Sequence, residues 1–289
     1  MTTRPPVGAG TVALTLLALV AFASNSLLTR LALGSRQLDA AGFTAIRLAS
    51  GAVMLALLVL AQARSLRALR GGGVAGPLAL FVYAAPFSFA YLRIGAAVGA
   101  LVLFGVVQLT MIGVGIARGE RLTALMWIGL VLAAGGLLVL TLPAVARPDP
   151  VGVLLMAVAG VAWAVYTLVG RGTTDPLAAN ARSFVWSTPL AMLLVAVARG
   201  PVTATGRGIA LAVVSGAVAS ALGYAVWYRA LPRLTVTQAA VAQLSVPVIA
   251  ALGAVLMLGE TLSVRLVVSG VLVLAGVAIV LSARARRAS

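Results

Sequence analysis

Gly119-Glu120-Arg121-Leu122 lies in a break between two apolar segments, and its pattern returns 140 residues later as Gly259-Glu260-Thr261-Leu262. The chain has only five acidic residues among 289, and this offset pairs two of them. Matches of alanine, valine or leucine arise easily in a chain that is 62% hydrophobic, but a shared Gly-Glu-x-Leu does not. The same offset lays Gly136 over Gly276. The sequence therefore contains an internal repeat.

The apolar segments around these breaks have the length that a bilayer requires of a helix. A mean hydropathy of +1.15 and a charged fraction of 9% exclude a water-soluble fold. The alternation expected of outer-membrane strands is missing, which favours helices. We predict an all-α polytopic membrane protein with ten transmembrane helices at 9–29, 41–62, 77–92, 95–117, 123–142, 152–170, 183–198, 208–228, 235–257 and 265–282.

Five of these predicted helices fall in each half of the chain. Because five is an odd number, the two halves would enter the membrane in opposite senses. We therefore predict two inverted five-helix repeats, the first over residues 1–147 and the second over 148–289. This architecture is characteristic of carriers.

Composition restricts the chemistry that the chain can perform. All 21 basic residues are Arg, and the sequence has no Lys, His or Cys. Disulfides, structural zinc, thiol or lysine nucleophiles and histidine proton relays are thereby excluded. We expect no catalytic residue, no metal site, no cofactor and no enzymatic activity. The net charge of +16 is spread singly between apolar spans, so we expect no nucleic-acid binding.

The distribution of Arg predicts the orientation. Residues 1–25 have features of a signal peptide, but the apolar run resumes at Leu27-Leu28, so we expect the first helix to be retained. With the N terminus inside, 13 Arg residues fall in inside segments and seven in outside segments. This bias predicts a multi-pass protein of the cell (cytoplasmic) membrane with both termini cytoplasmic.

The ninth predicted helix contains a proline near its middle. Pro247 lacks an amide donor and crowds the carbonyl of Gln243, four residues earlier, and Ser245 lies between them. These three residues could present a carbonyl and two polar side chains at the depth where carriers bind substrate. The alternative, equally open, is a kink whose freed carbonyl is capped by a neighbouring helix.

Deep aromatic residues extend this prediction. Trp163 and Tyr166 in the sixth helix and Tyr83 in the third lie away from the predicted helix ends, and Asn25 stands one repeat before Tyr166. A buried indole or phenol needs a hydrogen-bond partner, although each residue could also be ordinary packing. We predict a substrate-binding cavity formed by Asn25, Tyr83, Trp163, Tyr166, Gln243, Ser245 and Pro247.

The charged residues near the spans have bland interpretations. Arg47 lies about 9 Å into its helix, so we expect it to snorkel to the interface or pair with Asp39 rather than bind substrate. Glu120 and Glu260 precede the fifth and tenth helices, and we expect them to be structural caps or gate contacts. Since no acid falls within a predicted span, we expect transport without strict proton or sodium coupling.

Three motifs identify a related family. They are Asp39-Ala40-Ala41-Gly42-Phe43-Thr44-Ala45-Ile46-Arg47-Leu48 before and in the second helix, Trp163-Ala164-Val165-Tyr166 in the sixth, and Leu258-Gly259-Glu260 at the end of the ninth. With ten spans in two halves, the sequence resembles the EamA family of the drug/metabolite transporter superfamily. The resemblance implies export of amino acids and related small metabolites by alternating access through a central cavity. The fourth helix departs from it, with Val107-Gln108 where the ninth has Pro247-Val248, so we expect unequal half-sites.

Together these observations predict an exporter of small neutral or zwitterionic metabolites such as amino acids. Its partners would be a small-molecule substrate and the lipid bilayer, and the protein would be a monomer or a homodimer. Small organic cations are disfavoured because the acids lie in loops. The alternatives are a non-transport membrane protein (receptor, scaffold or lipid-flipping protein) or a multidrug exporter.

Overall fold

The fold is known from a computed structural model, which describes residues 7–63, 66–141, 148–198, 203–259, 261–283 and 286–287. Residue 147, where the first predicted repeat ends, and Glu260 lie outside the described residues.

Helices dominate both halves of the chain. The helices of the first half are α1 (Ala9–Thr29, continued by a π-helical stretch, Arg30–Gly34), α2 (Ala40–Ala63), α3 (Ala75–Tyr91), α4 (Ala96–Ala117) and α5 (Ala124–Thr141), with a 3-10 turn at Leu66–Leu69. Those of the second half are α6 (Pro150–Arg171), α7 (Pro176–Val197), α8 (Gly206–Arg233), α9 (Val236–Ala242), α10 (Ser245–Leu258) and α11 (Val264–Ser282). Within α8, Ser215–Leu222 is π-helical and Leu231–Arg233 is a 3-10 turn.

Eight helical segments among the described residues are long and apolar enough to cross a membrane. They are Ala9–Gly34, Ala40–Gln62, Val98–Ala117, Ala124–Thr141, Pro150–Arg171, Gly206–Arg233, Val236–Met257 and Val264–Ser282. Helix α3 is also apolar but has 17 residues, and α7 has 22 residues without being among the eight. The chain is therefore an all-α, multi-pass membrane protein.

Helix α7 begins seven residues earlier than the prediction of 183. The side chain of Asp175 accepts a hydrogen bond from the Ala178 amide at 3.0 Å, and Pro176 occupies the first helical position. Both features start a helix. The prediction was wrong because Asn180 and Arg182 made the first two turns look like a loop.

The ninth predicted span is broken into α9 and α10. The break falls at Gln243-Leu244, just before Pro247. The Gln243 carbonyl that the proline crowds accepts the Val246 amide at 3.1 Å. The predicted break is present, and a local turn satisfies the freed carbonyl.

Helices α5 and α11 pack against each other through glycines in a reciprocal way. A Cβ added to Gly136 would lie 2.9 Å from the Ser269 carbonyl oxygen, and one added to Gly276 would clash with the Gly129 carbonyl oxygen. Ser269 stands 140 residues after Gly129, just as Gly276 stands 140 residues after Gly136. The two helices are therefore antiparallel and make equivalent contacts.

Short strands and bridges mark the two ends of the bundle. At the strand end, β1 (Glu120–Arg121) pairs antiparallel with β2 (Arg286–Arg287). At the bridge end, Leu38 pairs with Ala204. The loop after α4 and the segment after α11 thus meet at the strand end of the bundle.

Candidate functional site

A cavity of about 200 Å³ lies between α1, α3, α4, α5 and α10. Arg30, Tyr91 and Thr141 line it near the bridge end, and Phe104 and Pro247 line it deeper in the bundle. We call it the bridge-end cavity. Most of its other lining residues are apolar: Leu27, Phe87, Gly99, Ala100, Leu103, Leu140, Val246, Ala250, Ala251 and Ala254.

The bridge-end cavity adjoins a smaller pocket at the middle of the bundle. This deep pocket has a volume of about 20 Å³, close to the space that one water molecule needs. Both spaces are lined by Ser26, Phe87, Leu103, Phe104 and Val246, so they are neighbours. The rest of the deep pocket is formed by Phe22, Asn25, Tyr83, Trp163 and Tyr224.

Four of the seven predicted site residues line these spaces. Asn25, Tyr83 and Trp163 line the deep pocket, and Pro247 lines the bridge-end cavity. Helices α1, α3, α6 and α10 thus bring these residues to one region from both halves of the sequence.

Gln243 lies behind Trp163. The Trp163 Nε1–H donates to Gln243 Oε1 at 2.5 Å, and the amide of Gln243 donates to the Ala239 carbonyl at 3.0 Å. The break between α9 and α10 places Gln243 where it can hold the indole. Gln243 therefore orients a wall residue of the deep pocket without lining the pocket itself.

Tyr166 and Ser245 satisfy their hydroxyls elsewhere. Tyr166 is fully buried and donates to Asn180 Oδ1, while its ring packs 5.8 Å from that of Trp163. The Ser245 hydroxyl donates to the Ala242 carbonyl at 2.6 Å within the break. Neither residue lines the cavity or the deep pocket.

Arg47 is the site feature that sequence reasoning missed. It neither snorkels nor pairs with Asp39: its side chain is 1% exposed, and Asp39 instead accepts the Gly42 amide at 2.8 Å. Arg47 donates from Nε to Ser220 at 2.9 Å and from Nη2 to Tyr224 at 2.6 Å. These hydroxyls on α8 offer acceptors inside the bundle, which no feature of α2 alone reveals.

Aromatic rings separate the deep pocket from the strand end. Tyr228 lies 5.1 Å from Tyr166, and Trp163 lies 4.8 Å from Tyr83, measured between ring centroids. Tyr228 also lines a cavity of about 600 Å³ at the strand end, together with Arg118. The four rings Tyr228, Tyr166, Trp163 and Tyr83 form an aromatic layer between the two cavities.

The described acidic side chains are all helix caps. Glu120 accepts the amides of Val236 and Thr237 at 2.7 and 3.1 Å and the Thr237 hydroxyl at 2.8 Å, at the start of α9. It thus caps a distant helix rather than the fifth. Asp39, Asp149 and Asp175 accept the amides of Gly42, Gly152 and Ala178, respectively. Within the described part of the chain, no cluster of His, Cys, Asp or Glu could hold a metal ion.

Comparison with known proteins adds a family. The model of the EamA-like transporter family matches residues 150–282, from α6 to α11. An uncharacterized protein of Pseudomonas aeruginosa is 51% identical over 279 residues, which cover 96% of this chain and 97% of that protein. An uncharacterized transporter of Archaeoglobus fulgidus is 30% identical over 172 residues, 57% of this chain and 60% of that protein.

A solved crystal structure shares the fold. It aligns over 94% of this chain and 97% of its own with a TM-score of 0.81 and 21% sequence identity. At that identity the likeness concerns the architecture of the helices alone.

Proposed function

The chain belongs to the EamA-like transporter family, and from that premise we propose that it exports small neutral or zwitterionic metabolites, such as amino acids, by alternating access. The observation that carries the proposal is the bridge-end cavity, which leads to a deep pocket with Asn25, Tyr83 and Trp163 in its wall. A concave, mostly apolar site with a few polar groups suits a small organic solute.

The two cavities on either side of the aromatic layer support alternating access. A solute in the bridge-end cavity is separated from the strand-end cavity by Trp163, Tyr166 and Tyr228. Rearrangement of this layer would transfer the solute from one cavity to the other. The broken span of α9 and α10 borders the deep pocket, as expected where a carrier binds its substrate.

The same proposal includes ten spans in two inverted repeats. In this reading α3 and α7 join the eight apolar segments as spans. The reciprocal contact of α5 with α11 supports an inverted repeat, because antiparallel helices with equivalent contacts are what a twofold axis in the membrane plane produces.

Charge supports the choice of substrate. None of the four described carboxylates lines the bridge-end cavity or the deep pocket, so a permanent cation would meet no counter-ion there. The same four groups serve as helix caps, which supports transport without proton coupling through them.

Exchange in proteoliposomes tests the function. Vesicles preloaded with one amino acid should exchange it for the labelled form, and a panel of amino acids and metabolites identifies the substrate. The change Gln243→Leu removes the acceptor of the Trp163 indole and should slow exchange about tenfold. The change Leu193→Ala on α7, whose side chain is 59% exposed, is the control. Absence of exchange for the whole panel would contradict the proposal.

Cysteine labelling tests the proposed orientation, with both termini in the cytoplasm. Because the chain has no Cys, each introduced residue is a unique label. Leu92→Cys at the bridge end should react with a membrane-impermeant reagent in intact cells, and Arg67→Cys at the strand end should not. The reverse pattern would contradict the orientation.

A further inference from the structure

The guanidinium of Arg47 lies near the middle of the bundle with neutral partners. Nε donates to Ser220 at 2.9 Å, and Nη2 donates to Tyr224 at 2.6 Å and Tyr83 at 3.4 Å. Nη1 is buried and has no hydrogen-bond partner. Tyr83 stands eight residues from either end of α3, about 12 Å at 1.5 Å per residue. A full positive charge therefore sits at mid-depth in the bundle.

No described carboxylate neutralises this charge. Asp39, Glu120, Asp149 and Asp175 are engaged as caps at helix starts, and Glu260 is outside the described residues. The ring of Tyr83, centred 5.3 Å from Arg47 Cζ, offers a cation–π contact that compensates in part. A charge buried this deeply in a membrane protein is costly unless it is paired, and such residues commonly mark a functional site.

The neighbours of Arg47 are also the wall of the deep pocket. Tyr83, Phe87 and Tyr224 all line that pocket, and Arg47 contacts each of them. Because the two phenol oxygens accept from Arg47, their own protons remain to be donated to another group. Two hydroxyl donors and a cation with an unpaired Nη1 thus surround one edge of the deep pocket.

We propose that Arg47, Tyr83 and Tyr224 bind the carboxylate of the transported solute in the deep pocket. The carboxylate supplies the missing counter-charge and accepts hydrogen bonds from the phenols and the guanidinium. The apolar body of the solute occupies the bridge-end cavity, against Phe104 and Pro247. The inference rests on the proposed transport function and narrows its substrates to carboxylate-bearing solutes with an apolar portion.

Binding of matched probes to the purified protein tests the charge requirement. Isocaproate carries a branched apolar body and a carboxylate, isocaproamide replaces the carboxylate by a neutral amide, and isoamylamine carries a cation. Isocaproate should raise the unfolding temperature Tm in detergent, since a solute that binds the folded state stabilises it. Equal stabilisation by isocaproamide, or no stabilisation by isocaproate, would overturn the proposal.

Variants tie the effect to Arg47. The change Arg47→Gln should weaken isocaproate binding at least about 30-fold, because it removes the charged partner of a buried pair. Arg47→Lys keeps the charge without the planar fork and should recover part of the binding. The control Arg93→Gln removes a half-exposed Arg that pairs with Asp149 at 3.5 Å, and should bind isocaproate as the unmodified protein does. A folded Arg47→Gln protein that still binds isocaproate like this control would overturn the proposal.

Tyr224→Phe covers the case in which Arg47→Gln does not fold. It removes one phenol donor and should weaken isocaproate binding about tenfold. Unchanged binding in this variant would count against the site. The two proposals fail separately: exchange of solutes without preference for a carboxylate would leave transport standing, whereas Arg47-dependent isocaproate binding without any exchange would leave only the site.

Discussion

Two pairs of sequence-related helices meet inside the bundle, and they differ in symmetry. In the pair α5 and α11, the contacts are reciprocal: Gly136 approaches the backbone of Ser269, and Gly276 approaches that of Gly129. In the second pair, α4 is continuous, whereas its counterpart in the repeat is broken into α9 and α10.

The unbroken helix of the second pair supports the broken one. Gln108 of α4 donates to the carbonyl of Ala240 in α9 at 2.5 Å. Val107 and Gln108 stand where the second half has Pro247 and Val248, so the proline that breaks one helix is missing from the other. The comparison teaches that the repeat has kept equivalence where helices only pack, and has lost it where polar groups surround a cavity.

The glycine contact should show the largest effect. Gly136→Val and Gly276→Val each push a side chain into the backbone of the facing helix, and each should lower the free energy of unfolding by about 3 kcal/mol. Gly135→Val is the matched control, because a Cβ there meets no atom within 4 Å. Thermal unfolding in detergent measures all three. A large loss at Gly276 with none at Gly136 would break the equivalence of α5 and α11.

The cap on α9 should come next. Glu120→Ala removes the acceptor for two amides and one hydroxyl at the start of this short helix, and should destabilise the protein by about 2 kcal/mol. Asp175→Ala, which removes an acceptor of one amide on α7, should cost less. Unfolding curves of the two variants provide the comparison, and an equal loss would mean that α9 needs no more support than an ordinary helix.

The hydrogen bond between the unequal helices should have a smaller effect. Gln108→Met keeps the length of the side chain but removes the donor to Ala240, and should lower stability by about 1 kcal/mol, the usual size of such bonds in membrane proteins. If α4 supports the broken helix specifically, the loss should shrink when Pro247→Ala is also present. Strict additivity of the two changes would argue against this coupling.

Pro247→Ala should change stability least. Its new amide can donate to the Gln243 carbonyl, so the free energy of unfolding should rise by less than about 1 kcal/mol while exchange slows. Pro189→Ala is the control, since α7 remains continuous around its proline. Exchange rates that fall equally in both variants would show that the break in the ninth span has no special role.

The sequence predicts the helices better than the site. Long apolar runs set off by Arg, Gly and Pro located most helices within a few residues, because membrane thickness leaves few alternatives. Helix α7 was misplaced at its start, since a cap such as Asp175 outweighs polar residues that follow it. Arg47 was misjudged because its hydroxyl partners Ser220 and Tyr224 lie more than 170 residues away in the chain. Partners of a buried charge are fixed by packing, which periodicity does not reveal.

The support that α4 and its following loop give to α9 also bears on biosynthesis. Gln108 and Glu120 both belong to the first half, and both satisfy backbone groups of a helix that the ribosome makes more than 100 residues later. Chains fold from the N terminus during synthesis, so the donor and the acceptor are in place before α9 emerges. The first half thus acts as a template for the second, and the two halves expressed in the opposite order would lack it at the moment when α9 inserts.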